Sequence, residues 1–134
     1  MLSSHDLEVL ENATTAARHL EQRRPPENFT HTVVSSARDT SGRVHTAVNV
    51  HHFTGGPCAE LVVAGLAASL TADRLEVIVA VASSDLAVLA PCGRCRQVLT
   101  DLYPDVRVII DGPRGATAVP AIELLPHAYR QPRA

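Results

Sequence analysis

The alternation of apolar and polar positions divides the chain into short, regular elements. Leu7, Leu10, Ala13, Ala17 and Leu20 recur at near-helical spacing, and Ser3 or Ser4 can cap the start. This predicts an amphipathic helix over 3–24, ended by Pro25-Pro26. Two strand-like stretches follow, 29–37 and 43–50. The polar connection Asp39-Thr40-Ser41-Gly42 between them reads as a hairpin. From Cys58 to about Ala72 the pattern is apolar on nearly every face, which predicts a helix buried on all sides. In so small a domain, part of that burial is expected from another subunit. Glu76 to Ala82 is a near-continuous apolar run, as in a central strand covered on both faces. The stretch 83–91 reads as a loop, 93–102 as a helix, 106–111 as a buried strand and 112–115 as a turn. A weak strand over 116–119, a short helix over 122–125 and a polar tail from Pro126 complete the chain. The order α-β-β-α-β-α-β with a β-α tail predicts an α/β fold, a mixed sheet with helices on both faces.

Composition narrows the class. At 134 residues, 46% hydrophobic and 19% charged, the chain is expected to form one globular domain spanning 1–134. A formal net charge of -2 argues against a polynucleotide partner, whose phosphates call for a basic face. Two Tyr, two Phe and no Trp are too few for a platform that stacks a long single strand. A small, weakly charged substrate fits better. The N-terminal segment carries charges and no apolar signal core, and the apolar run Leu61 to Leu70 is too short to span a bilayer. With an odd number of cysteines, a reducing, cytoplasmic setting is expected.

The chemistry lies in two stretches that hold every cysteine. One is Gly55-Gly56-Pro57-Cys58-Ala59-Glu60. The other is Ala90-Pro91-Cys92-Gly93-Arg94-Cys95-Arg96-Gln97. Cys92 and Cys95, spaced i, i+3 at a helix start, can turn two thiolates toward one metal, and Cys58 supplies a third. Three protein ligands on Zn2+ leave an open position, which catalysis requires. Glu60 is close enough to exchange protons with a water in that position. Zinc with three thiolates sums to about -1, which opposes ionisation of water. Both stretches fall at expected helix N-termini, whose partial positive charge compensates, and Arg94 and Arg96 can add more. A closed structural site would need a fourth ligand, for which His51 and His52 are nearest. A redox C-x-x-C would leave Cys58 and Glu60 unexplained.

The combination Cys-Ala-Glu, a gap, then Pro-Cys-x-x-Cys is the pattern of zinc-dependent nucleobase deaminases, in its three-cysteine form. In that chemistry Glu60 passes protons to the ring nitrogen and the departing amine while C4 of cytosine becomes a carbonyl. Ala59 and Pro91 are candidates to fix the base edge. His51 and Phe53 are candidates for the pocket wall, and Tyr129 in the tail is a further site candidate.

The chain resembles the cytidine deaminase superfamily, most of all its blasticidin S deaminase branch. The resemblance is densest in His52-Phe53-Thr54-Gly55-Gly56-Pro57-Cys58-Ala59-Glu60-Leu61-Val62-Val63 and in Pro91-Cys92-Gly93-Arg94-Cys95-Arg96-Gln97-Val98-Leu99. It extends to Val48-Asn49-Val50, Thr117-Ala118-Val119 and Glu123-Leu124-Leu125-Pro126. It implies a three-layer α/β/α sandwich with a five-stranded sheet, one zinc per subunit held by the three Cys, Glu60 as proton shuttle, and a homotetramer. The implied substrate is a free cytosine nucleoside or a nucleoside antibiotic of the blasticidin S type. The alternative is cytidine or deoxycytidine of pyrimidine salvage. Free-nucleoside deaminases carry Asn-x-Glu ahead of the first Cys, where both side chains hold the ribose. Here Asn49 is present and His51 takes the Glu position. Blasticidin S deaminase has an aromatic at the place of His51 and pairs a tail Tyr with a Trp two residues on. Here Tyr129 matches, and Gln131 stands at the Trp position.

Overall fold

A computed structural model describes residues 1–70 and 74–132. Helix α1 runs Ser4–Arg23. Strands β1, Val33–Asp39, and β2, Val44–Val48, form the hairpin. Then come α2, Ala59–Leu70, and β3, Leu75–Ala82. The two-residue β4, Val88–Leu89, precedes α3, Gly93–Leu102. Strands β5, Arg107–Gly112, and β6, Gly115–Pro120, lead into a single 3-10 turn, Ala121–Leu124. The expected end of the second helix near Ala72 lies outside the described residues, as do the last two residues of the tail.

The sheet order is β2-β1-β3-β5-β6, with β4 beside β3. β3 and β5 are parallel, and the other pairings are antiparallel. Alternation along β3 separates two cores. Val77, Val79 and Val81 face α1 through Val9, Ala13, Ala17 and Leu20. Ile78 joins Val63, Ala64, Ala67 and Leu99 of α2 and α3 on the other side. Successive side chains of a strand point to opposite faces, so one apolar run serves both layers. The result is the α/β/α sandwich expected.

Local rules explain the ends of the elements. The Ser3 hydroxyl accepts from the Asp6 N–H at 3.2 Å, and the Asp6 carboxylate accepts from the Ser3 N–H at 3.0 Å, a reciprocal capping box. Arg107 then clamps Asp6 at 2.7 and 3.0 Å, fixing the start of α1 to the sheet. In the hairpin, Asp39 accepts at one oxygen from the Ser41 N–H, the Ser41 hydroxyl and the Arg43 N–H. Its other oxygen meets His45 Nε2 at 2.8 Å, with both side chains buried.

Three expectations change. The first strand begins at Val33 rather than Phe29, because Asn28 Oδ1 accepts from the Thr30 N–H and makes a turn of the preceding residues. The expected loop over 83–91 contains β4, whose Val88 and Leu89 pair with Val81 and Ala80 of β3. Two residues are too few to show a period. Finally, α2 is not buried on all sides within the single chain. Val63, Ala64 and Ala67 are covered, while Leu66 and Leu70 are 37% and 57% exposed.

Candidate metal and catalytic site

Helices α2 and α3 bring their N-termini together beside the C-terminal end of β3, and the cysteines arrive there. Cys58 directly precedes α2, Cys92 is the N-cap of α3, and Cys95 lies in its first turn. The three sulfurs lie within 4.8 Å of one another, with Cys58 and Cys92 Sγ 3.6 Å apart. Two thiolates on a tetrahedral zinc, each about 2.3 Å from it, lie roughly 3.8 Å apart. The spacing and the donor set both fit zinc.

The loop before Cys58 holds it by backbone packing. The Val50 N–H donates to the Pro57 carbonyl at 3.0 Å. A Cβ on Gly56 would lie 1.6 Å from the Val50 carbonyl oxygen, so no larger residue fits without moving the loop. Gly56→Ala is expected to displace Cys58 and lower catalytic efficiency on the order of tenfold, as when a group orienting a metal ligand is lost. Steady-state kinetics alongside zinc content test this; unchanged values would mean that the loop yields freely.

Electrostatics at the sulfurs are uneven. Burial raises the Cys95 thiol far above its ordinary pKa, and the neighbouring Glu60 and thiol charges add to this. For Cys92, burial is outweighed by the N–H groups of Cys95 and Arg94 and by the adjacent thiols, so its pKa falls. Arg94 donates to Cys58 Sγ at 3.8 Å and to the Gly56 carbonyl at 3.2 Å. The contact with Cys58 raises the Arg94 pKa and keeps its charge beside the sulfurs. Three thiols this close together can ionise as a set only with a divalent cation among them.

Next to the sulfurs lies a cavity of about 180 Å³. Val33, Ala80, Leu89 and Ala90 form its apolar walls, and Asn49, Ala59 and Glu60 complete it with Cys58 and Cys92. Glu60 is 7% exposed, and burial raises its pKa, partly offset by its own backbone N–H. Asn49 Oδ1 accepts from the Thr32 and Val33 N–H groups at 2.8 and 3.0 Å. That fixes the amide orientation; Nδ2 donates one N–H to the Thr32 hydroxyl at 3.4 Å, which leaves its second N–H as a donor. A larger hollow of about 480 Å³ between α1 and β2 is shallow, carries no thiol, and lies against Glu8, Glu11 and Thr46.

The fold therefore gathers Cys58, Cys92, Glu60, Asn49 and Ala59 at one cavity, with the buried Cys95 sulfur beside the other two and Arg94 at the sulfurs. Pro91 is buried immediately before Cys92. Other sequence candidates lie elsewhere in the single chain. His51 is exposed, with its N–H donating to the Thr30 carbonyl. Phe53 is 93% exposed and packs on His52 with ring centroids 4.4 Å apart. Tyr129 is 70% exposed, and its carbonyl accepts from Gln97 Nε2 at 2.9 Å. The apolar walls from β1, β3 and β4 went unnoticed in sequence. The signal was Leu89-Ala90 directly before Pro91, which a loop assignment concealed.

Comparison with solved structures defines the class first. The cytidine deaminase of Mycobacterium tuberculosis superposes with a TM-score of 0.72 at 30% identity, over 93% of this chain and 97% of that one. The cytidine deaminase of Burkholderia pseudomallei gives 0.71 at 25% identity, over 96% and 100%. Among characterised sequences, the blasticidin-S deaminase of Bacillus cereus is 30% identical over 96% of this chain and 94% of that protein. No family model matches the chain. With a relative of that identity and coverage, this chain belongs to the cytidine deaminase superfamily, and blasticidin-S deaminase is among its sequence relatives.

Proposed function

We propose that the chain is a zinc-dependent hydrolytic deaminase. It replaces the 4-amino group of cytosine by a carbonyl and releases ammonia, with a free nucleoside or a blasticidin S-type antibiotic as substrate. One observation carries this reading: three thiols converge, and two of them, Cys58 and Cys92, line one cavity with a buried carboxyl, Glu60. The relatives' activities support it. Held by Cys58, Cys92 and Cys95, zinc supplies the Lewis acidity that brings water's pKa from ~15.7 toward about 7.

The chain's own groups supply the rest. Glu60 accepts a proton from the attacking water and delivers protons to the ring nitrogen and the leaving amine. Water and the C4 amine thereby become a C4 carbonyl and ammonia. Burial raises the Glu60 pKa above the ordinary carboxylate value, the direction that suits a group that must hold and release a proton. Asn49 offers its NH2 to an acceptor on the substrate. The walls of Val33, Ala80, Leu89 and Ala90 enclose one ring and exclude water around it. Drug-sized sites run from about 300 Å³ upward, so the rest of a nucleoside lies at the mouth. There a second copy of the chain can contribute. The exposed Leu66 and Leu70 of α2 support assembly, and a homotetramer is the form we propose. Among the described residues no helix is long and apolar enough to cross a membrane.

A second reading, a cytidine or deoxycytidine deaminase, is favoured by solved structures that match at the same identity as the sequence relative. Ultraviolet absorbance separates the two. The zinc-loaded protein is mixed in parallel with blasticidin S, cytidine and deoxycytidine, and loss of the cytosine chromophore is followed. We expect turnover of blasticidin S and loss of that turnover when zinc is chelated. Turnover of cytidine alone would establish the second reading. Inertness toward all three, with zinc bound, would reject both.

A further inference from the structure

Arg96 follows the last cysteine, and its side-chain hydrogen bonds go to backbone carbonyls rather than to the sulfurs. Its backbone N–H donates to the Cys92 carbonyl at 2.9 Å as an ordinary helical bond. Helical side chains lean toward the N-terminus. Accordingly Arg96 Nε reaches back past Cys92 and donates to the Pro91 carbonyl at 2.8 Å. Its Nη1 donates to the Leu124 carbonyl at 3.0 Å, at the end of the 3-10 turn after β6. One planar guanidinium thus joins the segment that delivers Cys92 to the segment that follows the last strand.

Cys92 needs such a hold. It is exposed, stands at the N-cap of α3 rather than within the helix, and is preceded by a segment whose regular structure is the two-residue β4. Cys95 is buried within α3 and Cys58 is set by the Gly56 contact, so Cys92 is the ligand position with least support of its own. Among the described residues Arg96 makes no ion pair with a carboxylate. Both of its side-chain bonds go to backbone carbonyls on either side of this junction.

Resting on the zinc reading above, we infer that Arg96 is a positioning residue for the metal centre, pinning the Cys92 ligand against the C-terminal segment. A lysine would keep the charge but lacks the rigid planar fork whose separate Nε and Nη1 nitrogens meet the two carbonyls, so it holds them less firmly.

The test uses the full zinc-loaded chain, with Arg96→Lys, Arg96→Ala and, as a control, Val79→Ala. Val79 is buried on the α1 face of β3, away from the thiols, and its truncation lowers stability without touching them. Zinc transfer to a chromophoric chelator is timed well below the unfolding transition, and the visible spectrum of the cobalt-substituted protein is recorded. Both Arg96 variants are expected to release zinc roughly tenfold or more faster, the scale seen when groups that orient metal ligands are lost. Their cobalt–thiolate bands should shift. Val79→Ala should release zinc at the wild-type rate despite a lower melting temperature. Wild-type release rates and spectra in both Arg96 variants would overturn the inference. So would equally fast release from Val79→Ala, which would assign the effect to global stability. If Arg96→Ala does not fold, Arg96→Lys decides. A wild-type chain that takes up no zinc would overturn the metal reading itself, an outcome distinct from an Arg96 effect that fails in a zinc-loaded chain.

Discussion

Glu60→Gln is expected to lower turnover by about 10²–10⁴, the range general acid–base groups contribute, while zinc content and fold stay intact. Glutamine has nearly the same volume and fits the same buried position in the first turn of α2. It cannot take up and return a proton at the catalytic pKa. The three thiols that would hold zinc are untouched, so metal analysis should read as in the wild type. Burial disfavours the Glu60 carboxylate. Removing that charge should therefore leave the melting temperature equal or higher. Single-turnover absorbance with the preferred nucleoside, together with zinc analysis and a thermal melt, checks all three. Comparable turnover in the variant would end the role of Glu60 as proton shuttle. Lost turnover accompanied by lost zinc would make Glu60 a structural part of the metal site instead.

Asp39→Ala should be the most damaging substitution for stability, at about 3 kcal/mol or more, because it strands several hydrogen-bond donors at roughly 1–3 kcal/mol for each one left buried and unpaired. Asp39 is fully buried, and its carboxylate only accepts hydrogen bonds. His45 Nε2 must therefore carry the proton it shares with Asp39 Oδ2 at 2.8 Å. Alanine strands that group along with the N–H donors of Ser41 and Arg43. Urea unfolding measures the loss, and a change under about 1 kcal/mol would show that the turn finds other partners. Burial alone would raise the Asp39 pKa. Hydrogen bonds from Ser41 and His45, then from the Arg43 and Ser41 backbone, outweigh it and hold the carboxyl well below its ordinary value. A carboxyl depressed in the folded state contributes stability above the unfolded pKa of about 3.9, lost as pH falls through the lower folded value. Asp39→Asn keeps an acceptor for the backbone donors but cannot titrate. Its stability should fall less steeply than the wild type below about pH 4, in unfolding measured across that range.

Much of the site was legible because its chemistry is local. Cys92 and Cys95 share one helical turn, and Glu60 lies two residues beyond Cys58, so spacing alone places these groups. The long apolar run of β3 announced a strand buried on both faces, and Pro25-Pro26 marked the end of α1. The short segments were harder. Nothing periodic marks Val88-Leu89 as a strand, because β3 supplies its pairing from outside the segment. Exposure at His51, Phe53 and Tyr129 was equally hidden. A residue type in a loop does not tell which way the loop turns.

By itself the sequence determined the two-faced central strand, the helix boundaries set by caps and prolines, and the three-cysteine, one-glutamate inventory, since each depends on neighbours a few residues away. Only the tertiary structure decided that Cys58 meets Cys92 at 3.6 Å and that the Asn49 amide is oriented by the Thr32 and Val33 N–H groups, which occupy its oxygen. It also decided that Arg96 ties Pro91 to Leu124. These contacts join segments far apart in the chain. Sheet pairing and helix packing set their distances, and no local pattern encodes them.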